Sequence, residues 1–317
     1  MSHSEFSLIE RLVAAAPCRR ADVLLGPGDD AALLRPPADM DLVQTVDTSL
    51  EGVHFPAGLA PADVGWRGLA VNLSDLAAMG AEPAWGLLSL ALPQVDEAWL
   101  DGFATGVAEL AGAVGLDLVG GDTVRGPLAV TFALTGFVPP GRALRRTGAC
   151  PGDGVWVTGP LGGGAAGLAA WQRGARADAA SFLRPRPRLA EGRALRGLAS
   201  AAIDISDGLV QDLGHLLRAG GVGAVLEVER LPLDPGAAAA GTEAGLRMAL
   251  GGGDDYQLCF TVPAAREAEL AAVSAAWAEP PVRIGAIRAA PGLELQRAGR
   301  PMSLPGGGWD PFRERDA

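Results

Sequence analysis

At 317 residues, 49% of them hydrophobic and 20% charged, the chain is long enough for two packed α/β domains and too apolar for disorder. Its net charge of −11 excludes nucleic acid as the main partner, because a phosphate backbone needs a basic face. All 26 basic residues are arginine, so neither a Walker A loop nor the strand lysine of a protein kinase is present. An acidic chain that handles phosphates faces like-charge repulsion of about 4 kcal/mol per pair at ~4 Å and an effective dielectric of 20. Bound cations are the expected remedy. Cys18, Cys150 and Cys259 are scattered and leave an odd thiol, as in a reducing cytoplasm. The opening MSHSEFSLIERL has no signal-peptide pattern, and the uncharged stretch 155–172 is too glycine-rich for a membrane span. A cytoplasmic protein is expected.

In chain order, residues 5–16 predict a short helix. GPGDDAALL (26–34) carries Asp29 and Asp30, either as solvated turn acids or as metal ligands; as strand neighbours they would face opposite ways. LVQTVDTSL (42–50) alternates as a strand, which puts Thr45 and Asp47 on one face, where their oxygens can meet a hard cation. Asp47 capping a turn with Thr48 and Ser49 is the alternative. His54 is either a ligand-binding or a structural histidine. Residues 63–79 predict a helix whose stripe is Trp66, Leu69, Ala70, Leu73, Leu76 and Ala77. Asp75, with Asn72 three residues before it, lies nearly opposite, where solvent is the default. A buried strand (87–92) and a second amphipathic helix (96–114) follow. LDLVGGD (116–122) predicts a strand and turn, with Asp122 in a hairpin or where backbone amides approach a phosphate. After a strand at 128–138, the Gly-, Pro- and Arg-rich segment 139–154 marks a boundary.

The second half repeats the alternation of strands and helices. TGPLGGGAAGL (158–168) is a strand-to-helix turn that either cradles an anion or packs closely. Residues 188–200 predict a helix. IDISDGLVQDL (203–213) puts Asp204 and Ser206 on one strand face, Asp207 at a helix start as a plain N-cap, and Asp212 in solvent. A strand (223–233), a helix then strand (246–263) and an Ala-rich helix (264–277) complete the series, with Asp254 and Asp255 in a glycine turn.

Taken in order, GDDAALL, VDTSLEGVHF, AVNLSDLAAMGAEP, GGDTVRGPL, GRALRRTGACPGD, RPRPR, IDISDGL and GGGDDYQLCFTVP resemble the thiamine-monophosphate kinase family from end to end, and EFSLI and GWDPF fit as well. That family is similar in fold to aminoimidazole ribonucleotide synthetase, selenophosphate synthetase and the hydrogenase maturation factor HypE, all ATP users without a P-loop. The resemblance implies a two-domain α/β (α+β) PurM-like fold. Residues 1–140 would form an ATP- and Mg²⁺-binding dimerisation domain whose sheet pairs with a second copy into a barrel, and 148–317 the C-terminal domain. It implies direct, in-line, Mg²⁺-templated transfer from ATP to thiamine monophosphate by a homodimer. No side chain is expected to act as acid, base or nucleophile, since a phosphate monoester is largely dianionic at neutral pH.

By the same resemblance the Mg²⁺ ligands would be Asp30, Thr45, Asp47, Asp75, Asp122, Asp204 and Asp207, with Val46 limited to its backbone carbonyl. Gly121, Asp122, Arg146 and Ser206 would contact ATP. His54, Asp254 and Trp309 would contact the substrate, Asp254 standing where the family usually has Glu. The alternatives are another enzyme of the superfamily, such as aminoimidazole ribonucleotide synthetase, or a non-catalytic nucleotide-binding regulator.

Overall fold

The computed structural model describes residue 11 and residues 13–303. Trp309 and most of the predicted helix 5–16 lie outside the described residues. The chain divides into two compact units, one running to Leu76 and resuming over Ala81–Gly141, the other made of Ala77–Gly80 and the chain from Arg142. Each is mixed α/β.

The first unit contains β1 (Val23–Leu25), β2 (Leu33–Leu34), β3 (Asp41–Leu50), α1 (Pro61–Ala78), β4 (Glu82–Leu92), α2 (Glu97–Val114), β5 (Asp117–Arg125) and β6 (Ala129–Val138). Its main sheet runs β3-β6-β4-β5, with β4 and β5 parallel and the other pairs antiparallel. Strand alternation gives the sheet two unlike faces. Val130, Phe132, Leu134, Leu88 and Leu90 are buried on one. The other leaves Val46 63% and Leu87 47% exposed.

Helix α1 was expected to bury one stripe and wet the other. Its stripe is buried from Leu69 to Ala77, with Trp66 half-buried, but Arg67, Asn72 and Ser74 are buried too. Helix α2 closes over it: a Cβ at Gly65 would overlap the Phe103 carbonyl, and one at Gly106 the Ala62 carbonyl. Only glycine lets two helix backbones approach so closely. Helix α2 itself starts at Asp96, whose Oδ1 accepts from the Trp99 N–H at 3.0 Å, and stops at left-handed Gly115.

The second unit holds β7 (Gly154–Val157), α3 (Gly163–Gln172), α4 (Ala180–Leu183), α5 (Leu189–Ala194), β8 (Ala201–Asp204), α6 (Leu209–Gly220), β9 (Gly223–Glu227), α7 (Pro235–Ala239), α8 (Thr242–Gly251), β10 (Leu258–Val262), α9 (Glu267–Ser274), β11 (Val282–Arg288), β12 (Gly292–Arg297) and β13 (Arg300–Met302). The seven strands run β13-β12-β9-β11-β7-β10-β8. Val155, Ile203, Leu213, Leu226, Ile284 and Leu295 meet in its core. The predicted helix 188–200 contracts to α5, and the predicted strand 223–233 stops at Glu227, where a 3₁₀ turn (Val228–Arg230) takes over. Among the described residues no helix is long and apolar enough to cross a membrane.

Candidate functional site

In the first unit, the odd positions of β3 face α1. Thr45 Oγ1 donates to Asp75 Oδ2, and the Asp47 N–H donates to Asn72 Oδ1 at 2.9 Å. Asn72 is 1% exposed and its Nδ2 donates to the Gly68 carbonyl at 3.0 Å, so it is a strut between helix and strand. Asp75 is therefore half-buried against β3, not a residue of a solvated face. Thr45 and Asp47 fall two apart on β3, as the alternation predicts, and α1 meets them through the Thr45 hydroxyl and the Asp47 backbone N–H.

A cleft of ≈ 1570 Å³ lies on the same unit, lined among others by Asp29, Asp30, Val46, Leu87, Gly121 and Asp122. Thr45 lines it too, and so links the cleft to the Asp75 side of β3. Asp29 and Asp30 occupy a turn in which the Asp30 N–H donates to Asp29 Oδ1 at 2.8 Å. Strand alternation does not apply there, and both face one cleft. Asp122 lies inside β5, opposite Ser89 of β4, and not in a turn after the strand. The preceding glycine explains the misreading. A Cβ at Gly121 would overlap the Leu88 carbonyl, so the glycine serves close strand packing rather than a hairpin.

His54 Nδ1 accepts from the Leu50 N–H at 3.0 Å, closing the bend after β3. That bond leaves Nε2 to carry the proton of the neutral ring. Among the described residues no three His, Cys, Asp or Glu side chains converge into a ready-made metal site. The predicted ligand side chains offer oxygen alone, the donor class suited to Mg²⁺.

In the second unit the strand carrying Asp204 ends at that residue, so Ser206 and Asp207 lie in the loop before α6. The helix cap is Gly208, not Asp207. Asp212, expected in solvent, is 4% exposed, and its Oδ2 accepts from the N–H groups of Ser206, Asp207 and Gly208, each at 3.0 Å. Burial pushes its carboxyl up to about 7; the charge of Asp207 adds to this and the three amides oppose it. Asp212 thus shapes the loop that presents Ser206 and Asp207. Periodicity could not reveal this, because the partners are backbone amides outside the helix. Arg146 is exposed and acts, with Asp207, on the charge state of His215. His215 titrates below its ordinary value through burial, then Arg218 and Arg146.

The glycine turn after α8 closes onto the same loop. The Asp254 N–H donates to the Ser206 carbonyl and the Tyr256 N–H to the Ile205 carbonyl, both at 2.8 Å. The anion cradled at the start of α3 is the chain's own Asp255, which accepts from the N–H groups of Gly162 at 2.8 Å and Gly164 at 3.2 Å. Burial pushes that carboxyl up to about 7 as well, against the pull of the glycine amides.

Two family models cover most of the chain: AIR synthase related protein, N-terminal domain, over residues 28–138, and its C-terminal domain over 150–297. A thiamine-monophosphate kinase of Escherichia coli (strain K12) is 47% identical over 98% of this chain and 99% of its own length. The crystal structure of thiamine-monophosphate kinase from Stenotrophomonas maltophilia K279a superposes with a TM-score of 0.86 at 43% identity, covering 95% of this chain and 98% of its own. A structure described as AaThiL complexed with AMPPCP and TMP has a TM-score of 0.76 at 30% identity, covering 96% of both chains. The chain belongs to the thiamine-monophosphate kinase family, within the AIR synthase-related proteins.

Proposed function

We propose that this chain transfers the γ-phosphoryl group of ATP to thiamine monophosphate, giving thiamine diphosphate. The observation that carries the reading is the 47% identity to a thiamine-monophosphate kinase over nearly the whole of both chains. Likeness to a complex with AMPPCP and TMP supports it. The acceptor phosphate is largely dianionic at neutral pH and brings its own nucleophilic oxygen. No side-chain base is needed, and the transfer is direct.

What the chain supplies is alignment and charge compensation for two polyanions. Arg146, Gly121, Asp122 and Ser206 bind ATP. Asp30, Thr45, Asp47, Asp75, Asp122, Asp204 and Asp207 hold Mg²⁺, with the Val46 carbonyl. The donor set fits: Mg²⁺ keeps several waters and takes one or two carboxylates plus substrate phosphates, so dispersed carboxylates suffice. Mg²⁺ held by these carboxylates would supply charge neutralisation for the phosphates. His54 and Asp254 contact the thiamine moiety. Residues 1–140 act as the ATP- and metal-binding domain and 148–317 as the C-terminal domain. The exposed apolar face at Val46, Leu87 and Val124 supports pairing of the first sheet with a second copy into a barrel.

The test is a panel with ATP and Mg²⁺ in which thiamine monophosphate, thiamine and an aminoimidazole-synthetase substrate compete. Only thiamine monophosphate should be consumed, with thiamine diphosphate as product. ATP turnover on another member of the panel alone overturns the reading. His54→Ala should raise KM for thiamine monophosphate far more than KM for ATP, and equal effects would remove His54 from the acceptor site.

A further inference from the structure

The turn that carries Asp254 is held in a shape side chains resist. Asp254 and Tyr256 are both left-handed, with φ of 59° and 50°, a region that residues bearing a Cβ enter at a cost. Three anchors offset that cost: the two N–H bonds to Ser206 and Ile205, and between them the Asp255 carboxylate gripping the Gly162 and Gly164 amides. Gly164 seals the arrangement, since a Cβ there would overlap the Asp254 carbonyl.

One product of this geometry is specific. Tyr256 is 7% exposed, and its hydroxyl donates to Asp254 Oδ1 at 2.8 Å. A buried phenol needs a partner for its O–H, and a carboxylate makes that bond charge-assisted. The bond spans residues two apart in sequence, which only the strained turn brings into register. It takes the rotameric freedom from a short side chain that has little reach to spare.

We propose that Tyr256 is a positioning residue for acceptor recognition: its hydroxyl fixes the Asp254 carboxylate in the orientation that meets the thiamine moiety, whose thiazolium ring is a permanent cation. The inference rests on the reading that Asp254 contacts the acceptor. The role assigned to Tyr256 is exerted through its bond to Asp254 Oδ1.

The chain has one tyrosine, which makes the idea separable from general stability effects. Tyr256→Phe removes a single oxygen. It should raise KM for thiamine monophosphate roughly tenfold, the usual worth of a hydrogen bond to a charged group, while KM for ATP stays put. Asp254→Ala should raise the same constant, and Tyr256→Phe added to it should do nothing more. Protein carrying 3-fluorotyrosine should show one ¹⁹F resonance, which moves in Asp254→Ala and on adding thiamine monophosphate. A normal KM in Tyr256→Phe beside a raised one in Asp254→Ala overturns the positioning role alone. A normal KM in Asp254→Ala removes the acceptor-site reading, and this proposal with it. If Tyr256→Phe does not fold, a ¹⁹F resonance identical in wild type and Asp254→Ala overturns the role instead.

Discussion

Asp30 and Asp122 in the first unit, and Asp212 and Asp255 in the second, all come from Gly-Asp-rich segments, yet their surroundings differ. Asp30 and Asp122 line an open cleft. Asp212 and Asp255 accept, between them, five backbone N–H bonds from Ser206, Asp207, Gly208, Gly162 and Gly164. A carboxylate tied to backbone amides holds a loop in place, whereas one facing a cleft is available to a cation. The environment of the carboxylate, and not the motif, separates a ligand from a strut.

Substitutions that keep shape and remove charge should break the comparison most visibly. Asp30→Asn and Asp122→Asn should lower kcat by about a thousandfold with the melting temperature almost unmoved, because neither side chain is part of a core. Near-normal kcat in either variant would strike that residue from the ligand set. Asp212→Ala should do the reverse on stability. It strands three N–H groups at a buried site, at a cost on the order of 3 kcal/mol, read as a lower midpoint in urea. A midpoint equal to wild type would show that water takes over the three amides.

The pH dependence sharpens the same contrast. The Asp255 carboxyl titrates near 7 in the folded chain, against an ordinary value of 3.8. The folded state then binds a proton that the unfolded state has released, so this group's contribution is full below about pH 4 and is lost as pH rises through about 7. Asp255→Asn should flatten the fall of melting temperature across that window. An unchanged slope would assign the pH dependence elsewhere. The smallest expected effect is on assembly: Val46→Glu should shift a homodimer toward monomer by light scattering at micromolar concentration, without unfolding the sheet. A wild-type chain that is already monomeric there would remove the pairing proposal.

Much of this was legible in the residues, for identifiable reasons. Alternation in LVQTVDTSL placed Thr45 and Asp47 on one face, and β3 runs over Asp41–Leu50. What periodicity cannot register is backbone partnership. Asp212 reads as a solvated helix residue by spacing and is buried because three amides reach it from the preceding loop. Asn72 reads as a polar neighbour of Asp75 and is a buried brace to Asp47. The glycines of GPGDD allow the turn that Asp29 and Asp30 form, but nothing in the segment shows that both acids face one cleft, since strand spacing would send them opposite ways. The strands β11 to β13 escaped notice because the alternation in PVRIGAIRAAPGLELQRAGRPM is confined to the short runs VRI and LELQ, broken by Gly, Pro and Arg.

The strand order of the first sheet has a consequence for how the chain reaches this state. Strands β3 and β4 are successive in sequence, yet β6 lies between them, pairing Thr48 with Thr131 on one side and Ser89 with Thr131 on the other. The sheet cannot be laid down strand by strand as the chain leaves the ribosome. Helices α1 and α2, with β4 and β5, depend on nearer contacts and are free to form first, while β3 waits for a segment about eighty residues downstream. Thr45 and Asp47 ride on that last-joining strand. The acidic site is therefore completed only when the first unit is, and a nascent chain stopped short of β6 would lack the frame that brings Asp75 to Thr45.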